Sequence, residues 1–350
     1  MRAALPLIAL LAVGCTCGPP ERDLVLVVVD ALRADRLRLD LHPTPALDRL
    51  TAEGRVYDRA FTHGIDTVRA MPALLGGLGP RGEDGQPRYL GTRFPRHHRG
   101  FFSANAWIGP PLTDGFHDVV QVEYFYGEPR VDGHDLAARF TAWLGAHPEP
   151  VLAVLHFMDV HAPYASPCGE GQALTANGPL PQGTPPATLA LTRRRYDDGV
   201  ACFDPILAEV MEAVAARPRE VLLVLTADHG ESLGERGLLG HGTRVVPEVA
   251  RVPLVAWTPG GELGRSKEVV GHEIVAPLLA GEEIVPAREV RIQPEAVVRW
   301  PRLMAREATF DLEAGEAKGP TKFHTTWDDF PEYEPPAGAA GGRGGWGYTE

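Results

Sequence analysis

Three stretches of this 350-residue chain place carboxylates and imidazoles directly behind apolar, largely β-branched runs. Leu24-Val25-Leu26-Val27-Val28-Val29 ends in Asp30, the run 151–158 leads into Asp159 and His161, and the run 221–226 is followed by Ala227-Asp228-His229. Carboxylate and imidazole together suit a hard or borderline divalent cation, with calcium, manganese, magnesium and zinc all compatible. Taken singly, Asp30 or Asp228 reads as a helix cap. With His229 added, and three such ends expected to converge, the metal reading takes over. His156, inside the second run, reads as a core residue, and Arg96-His97-His98-Arg99 as a solvated loop.

The elements that must position these groups follow from the same runs. A continuous apolar stretch suits a strand buried on both faces of a parallel sheet, and ligands of such sheets bind beyond the carboxyl ends of the strands. Helical apolar spacing appears over 135–144 and from about 192 to 216, between the strand-like runs. Strands alternating with helices predict an α/β fold, a three-layer sandwich around a largely parallel sheet. In a fourth run, 252–257, Pro253 belongs at an edge or a first position. Beyond residue 288 the pattern shortens to weak strand-like pieces at 289–292 and 308–312, which predicts a small C-terminal subdomain over 286–325. The tail 326–350 is rich in Pro and Gly and reads as disordered.

Composition narrows the function classes. Lys plus Arg number 34 against 46 Asp plus Glu, a formal charge of −12, with no basic stripe, so nucleic acid is not an expected partner. Hydrophobic residues at 44% and charged residues at 23% exclude a fully disordered, collagen-like or multi-span membrane chain. Residues 3–13 form an apolar run behind Arg2. It is too short for a bilayer, which takes about 20 residues, and reads as a signal-peptide core. The four cysteines are Cys15, Cys17, Cys168 and Cys202. Export would permit a disulfide between Cys168 and Cys202, and two unpaired buried thiols is the equal alternative; Cys17 has no obvious partner.

Leu11-Ala12-Val13-Gly14-Cys15 resembles the lipobox of bacterial lipoproteins. The resemblance implies a signal peptide over 1–14, a lipidated Cys15, a linker over 15–23, and a membrane-anchored protein in the periplasm or at the outer cell membrane. Three longer motifs resemble the sulfatase family of the alkaline phosphatase superfamily: Val27-Val28-Val29-Asp30-Ala31-Leu32-Arg33-Ala34-Asp35-Arg36, His156-Phe157-Met158-Asp159-Val160-His161-Ala162-Pro163-Tyr164, and Thr226-Ala227-Asp228-His229-Gly230-Glu231-Ser232-Leu233-Gly234-Glu235-Arg236-Gly237 with Gly240-His241-Gly242 after it. Weaker echoes lie at 100–105, 251–255 and 310–313, and the catalytic domain implied spans 24–285.

The resemblance implies an alkaline-phosphatase-like fold and a metal-dependent hydrolase of sulfuric or phosphoric esters. Asp30, Asp228, His229 and the Thr67 oxygen would bind the metal. The stretch 67–77 aligns Thr67 with the family's nucleophile, at the start of a helix whose dipole favours an anion. His161 and His241 would contact the anionic ester, protonate the leaving group or complete a second metal site. Arg69 would face the transferred group, a surface salt bridge being equally compatible. Two departures matter. Thr67 cannot become the formylglycine of sulfatases proper, so a Thr ester must be released by attack at the central atom, which suits phosphorus. Ala31 stands where a second aspartate is common, which makes calcium less secure and leaves manganese, magnesium and zinc open. Substrates implied are small-molecule, glycan or lipid esters of sulfate or phosphate. Alternatives are a phosphodiesterase or phosphoglycerol-type transferase, and a surface lipoprotein that keeps the fold for binding alone.

Overall fold

The computed structural model describes residues 21–39, 42–76, 88–121, 133–165, 167–261, 264–288 and 290–292, and the backbone of four strands at Ala296–Arg299, Arg302–Ala305, Ala308–Asp311 and Glu316–Lys318. The expected signal segment, Cys15, Cys17 and the tail from 326 lie outside the described residues.

The apolar runs become the main sheet. Its strands are β1 (Asp23–Val29), β2 (Arg55–Phe61), β3 (His98–Ser103), β4 (Asp118–Gln121), β5 (Val151–Phe157), β6 (Val221–Thr226), β7 (Leu254–Trp257) and β8 (Gly264–Gly271). They lie in the order β8-β2-β7-β6-β1-β5-β3-β4. Only β7 is reversed, antiparallel to both β2 and β6. Every residue of β1, β5 and β6 is buried, the pattern of strands covered on both faces. Each fully buried Val or Leu contributes roughly 1.5–3 kcal/mol, so these adjacent strands anchor the fold.

The longer helices among the described residues are α1 (Pro45–Glu53), α2 (Thr67–Gly76), α3 (Gly133–Ala146), α4 (Pro186–Ala215) and α5 (Val275–Ala280). Helices α1 and α3 pack on α4, and α2 packs on α5. The buried Asp204 of α4 fixes the first turn of α1 by accepting the N–H groups of Ala46 and Leu47 at 3.0 and 2.8 Å. Helix α4 starts earlier than the apolar spacing indicated because Pro186 supplies a first-turn residue that needs no N–H partner. No helix among the described residues is long and apolar enough to cross a membrane.

The disulfide alternative is the one the fold adopts. Cys202 of α4 bonds Cys168 across 34 positions, with Cα atoms 5.7 Å apart. Pro253 sits immediately before β7, and its carbonyl accepts the Thr226 hydroxyl at 2.7 Å. His98, expected in a solvated loop, instead opens β3. The strand Val290–Ile292 begins a five-stranded antiparallel sheet that continues through Glu316–Lys318. His63 Nδ1 donates to the Arg291 carbonyl at 2.6 Å and so links this sheet to the body of the protein.

Candidate metal centre and nucleophile

Strand β1 lies between β5 and β6, with Val28 level with both His156 and Thr226. Two residues beyond that level the chain leaves β1 at Asp30, whose N–H bonds the Phe157 carbonyl at 2.9 Å. Asp228 and His229 leave β6 beside it. The register of three parallel strands thus gathers Asp30, His156, Asp228 and His229, all fully buried.

Their hydrogen bonds leave a consistent remainder. Asp30 Oδ2 accepts from Thr67 Oγ1 at 3.2 Å and Asn105 Nδ2 at 3.1 Å, while Oδ1 has no hydrogen bond. Asp228 Oδ1 accepts the N–H groups of Ala31 and His229 at 3.2 and 2.9 Å, while Oδ2 has none. His229 donates Nδ1–H to the Gly230 carbonyl at 2.9 Å, which turns the lone pair of Nε2 inward, again unbonded. His229 Nε2 lies 3.7 Å from Asp30 Oδ1 and 3.5 Å from Asp228 Oδ2. His156 Nε2 lies 3.7 Å from Asp30 Oδ2 and 4.0 Å from Asp228 Oδ2, and neither of its ring nitrogens is hydrogen-bonded. Buried acceptors that face one another are costly without a partner, and two carboxylates with imidazoles form a donor set that fits a divalent cation. Asp30, His156 and Asp228 each offer a ligand atom within a common 4.8 Å.

Thr67 is the first residue of α2, and it is 8% exposed. It is not the helix cap. Asp66 takes that role, its Oδ1 accepting the Arg69 N–H at 2.9 Å and its carbonyl accepting the Ala70 N–H at 2.9 Å. The Thr67 hydroxyl is therefore spared for Asp30. Arg69 pairs with Asp66 in the same turn and is directed there in this structure.

A second layer holds the imidazoles. His161 donates Nδ1–H to the Ala162 carbonyl at 2.6 Å and sets Nε2 3.9 Å from Asp30 Oδ1. The His241 ring lies 4.2 Å from that of His229 and 5.1 Å from that of His161. His241 Nδ1 meets the buried Glu231 Oε1 at 3.0 Å, and Glu231 also accepts the Tyr164 hydroxyl. Burial sets most of the protonation states. It pushes Asp30 well above the usual carboxylate range, an effect the Asp228 charge reinforces. It lowers His156 and His161 to about 4, and His229 well below the ordinary imidazole value. Burial opposes the charged form of His241 too, but the Glu231 carboxylate outweighs it and holds that imidazole at about 9. The centre thus combines neutral imidazoles with one cationic imidazole.

Backbone and outlying residues fix this arrangement. Ala31 adopts φ of 62°, a left-handed conformation that strains a non-glycine residue by about 1–2 kcal/mol. In exchange its N–H reaches Asp228 and its carbonyl accepts the Tyr196 hydroxyl at 2.7 Å. Arg33 bonds Asp35 at 2.8 Å and Glu235 at 2.8 Å, which joins the segment after β1 to the one after β6. Asp159 turns away from the centre, its Oδ1 accepting the Gly133 N–H of α3 at 3.3 Å. His156, Asn105 and Glu231 are site residues to which sequence reasoning gave no role. A polar side chain inside an otherwise apolar central strand was the available signal for the first. Asn105 lay in a weak motif echo that suggested no role.

Residues 22–281 match the family described as Sulfatase. The uncharacterized sulfatase YidJ of Escherichia coli strain K12 is 28% identical over 118 residues, 27% of this chain and 24% of that protein. The match thus spans about a quarter of that relative's length. The C-terminal periplasmic domain of phosphoethanolamine transferase EptC from Campylobacter jejuni superposes with a TM-score of 0.58 at 18% identity, over 75% of this chain and 89% of that one. Phosphonate monoester hydrolase of Agrobacterium radiobacter superposes at 0.61 with 17% identity, over 83% of this chain and 86% of that one. At these identities the superpositions establish the shared fold, the largely parallel α/β architecture of alkaline-phosphatase-like enzymes.

Proposed function

Because the chain belongs to the sulfatase family, we propose that it is a metal-dependent ester hydrolase in which Thr67 attacks a phosphodiester. The observation that carries this reading is the hydroxyl of Thr67. Relieved of capping by Asp66, it donates to Asp30 at 3.2 Å, at the edge of a cluster of buried, unbonded acceptors. A divalent ion held by Asp30, Asp228, His229 and His156, with the Thr67 oxygen adjoining, would supply positive charge to the ester oxygens and lower the hydroxyl pKa.

The protein's own groups balance the protons. Thr67 Oγ1 gives its proton to Asp30 Oδ2 as it bonds to phosphorus, and the bond from phosphorus to the leaving alcohol breaks. His241, kept cationic by Glu231, protonates the departing oxygen. Water then attacks phosphorus and gives a proton to His241, and Thr67 leaves with the proton from Asp30. Release at phosphorus needs no aldehyde, which accords with a threonine in place of a formylglycine precursor. The family's sulfate esters remain the competing substrate class. The exposed Trp107 and Val68, 71% and 64% accessible, follow Asn105 and Thr67 closely in sequence and favour a substrate with an apolar alcohol part. They equally suit a second reading, transfer of the phosphoryl group to an alcohol in place of water. The same proposal sets the enzyme outside the cytoplasm, anchored through Cys15.

Purified protein loaded in turn with manganese, magnesium, calcium and zinc is to be assayed against aryl sulfate, phosphate monoester and phosphodiester. The phosphodiester is expected to turn over fastest, and Thr67→Ala to lose about 10³-fold or more. A variant that keeps its rate removes the nucleophile. Added alcohols that divert product from hydrolysis would select transfer.

A further inference from the structure

At the end of the sheet opposite the metal centre, the parallel register brings together the starts of three neighbouring strands. His98 opens β3 level with Val151, the first residue of β5, and Asp118 opens β4 level with Gly100. Five steps of β5 separate Val151 from His156, about 17 Å at the usual rise, so this cluster is remote from the nucleophile. His147 and Glu149 lie in the turn between α3 and β5.

The side chains form an ordered set. The rings of His117, His98 and His147 stack in that order, with centroids 4.6 and 3.8 Å apart. Asp118 Oδ2 lies 2.6 Å from His98 Nε2 and accepts the Trp143 indole N–H at 2.9 Å. With Nε2–H donated to Asp118, His98 carries its lone pair on Nδ1. That nitrogen lies 3.6 Å from Glu149 Oε1, which is itself 2.9 Å from His147 Nδ1. A tetrahedral ion with bonds of about 2.0–2.1 Å separates its ligand atoms by about 3.3 Å, close to both spacings. The turn is held from below, since Arg217 donates to the carbonyls of His147 and Glu149 at 2.9 and 3.0 Å and is anchored on Asp23 at 2.7 Å.

We propose that His98, His147 and Glu149 form a second, peripheral site for a divalent transition ion of the zinc class, with Asp118 orienting His98. Two imidazole nitrogens and one carboxylate are a borderline donor set that leaves a fourth position for water. A carboxylate on the far nitrogen of a ligating histidine is the usual support of such sites. Lone pairs of parallel rings run side by side, so binding turns one ring out of the stack. His147 ends the stack, and its side chain is 23% exposed. The ion would tie β3 to the entry of β5 next to the edge strand β4.

The test uses the full chain carrying Asp228→Asn, which disables the catalytic centre, stripped of metal and then titrated with zinc or cobalt(II). Bound metal is counted after gel filtration, and cobalt is followed by its visible absorption. About one equivalent of metal, an intense tetrahedral cobalt spectrum and a zinc-dependent rise in melting temperature are expected. All three are to vanish on adding His98→Asn or the surface change Glu149→Gln. In the otherwise unaltered chain, Glu149→Gln is to leave turnover within about twofold while removing one bound zinc. Equal metal content with and without Glu149→Gln, or no metal bound in the Asp228→Asn background, overturns the proposal and leaves the cluster as ion pairs.

Discussion

Replacing Glu231 by Gln removes the charge that keeps His241 cationic while preserving the size of the side chain and an acceptor for the hydroxyl of Tyr164. In the protein Glu231 Oε1 meets His241 Nδ1 at 3.0 Å, and the imidazole is held at about 9. Without the carboxylate, burial opposes the cation and the Asp30 and Asp228 charges alone support it, so the His241 value falls from about 9 toward the ordinary 6.5. A full return to 6.5 is a change of about 2.5 units, or roughly 3 kcal/mol of preference for the cation. At pH 8 that return drops the protonated fraction from about nine-tenths to about 3%, which predicts a loss of up to ~30-fold in kcat. The assay is the pH dependence of kcat for the metal-loaded enzyme on a phosphodiester with a poor leaving group. Its alkaline limb should move from about 9 toward 6.5, and the deficit should shrink as pH falls. Stability follows the same sign: the cation's contribution is complete below pH 6.5 and disappears as pH rises through about 9. A deficit of equal size at every pH would refute the assignment of His241 as the acid.

Two further outcomes are expected. His156 is held at about 4 by burial, so the unfolded chain takes up a proton near 6.5 that the fold refuses. The metal-free protein should lose up to roughly 3 kcal/mol between those values. His156→Leu should remove this residue's share of the acid sensitivity, as followed by urea melts, while the shares of His161 and His229 persist, and weaken metal binding at least about tenfold in a chelator competition; unchanged affinity would exclude it as a ligand. Cys202→Ser opens a 34-residue loop, a loss of about 4 kcal/mol and a fall of about 10 °C in the calorimetric midpoint. A reductant should reproduce the shift in the parent chain and leave the variant unaffected.

The central strands were legible because β1, β5 and β6 are buried on both faces, so selection for apolar residues acts at every position and the polar residue that ends each run stands out. Asp30, Asp228 and His229 were readable for that reason. His156 was not, because a histidine within a buried strand carries the same symbol whether it is bonded to its neighbours or left with two bare nitrogens. Only the register across β1 exposes the difference. The division of labour between Asp66 and Thr67 was equally hidden, since both residue types cap helices and adjacent positions compete for the role. The cluster around His98 depends on pairing between β3, β4 and β5, a contact of distant segments that no local motif records.

The bond from the Ala31 N–H to Asp228 closes 197 residues of chain. Strand β1 emerges early in synthesis yet sits in the middle of the sheet, and it can acquire neither neighbour until β5 and β6 exist. A centre whose ligands come from such separated strands has no partial form, because loop closure must precede the contacts that reward it. On the proposed reading, cation uptake would report the completed sheet. The ion proposed for the site would be drawn from whichever compartment the chain folds in, so the metal supply there, as much as the donor set, would decide which cation it holds.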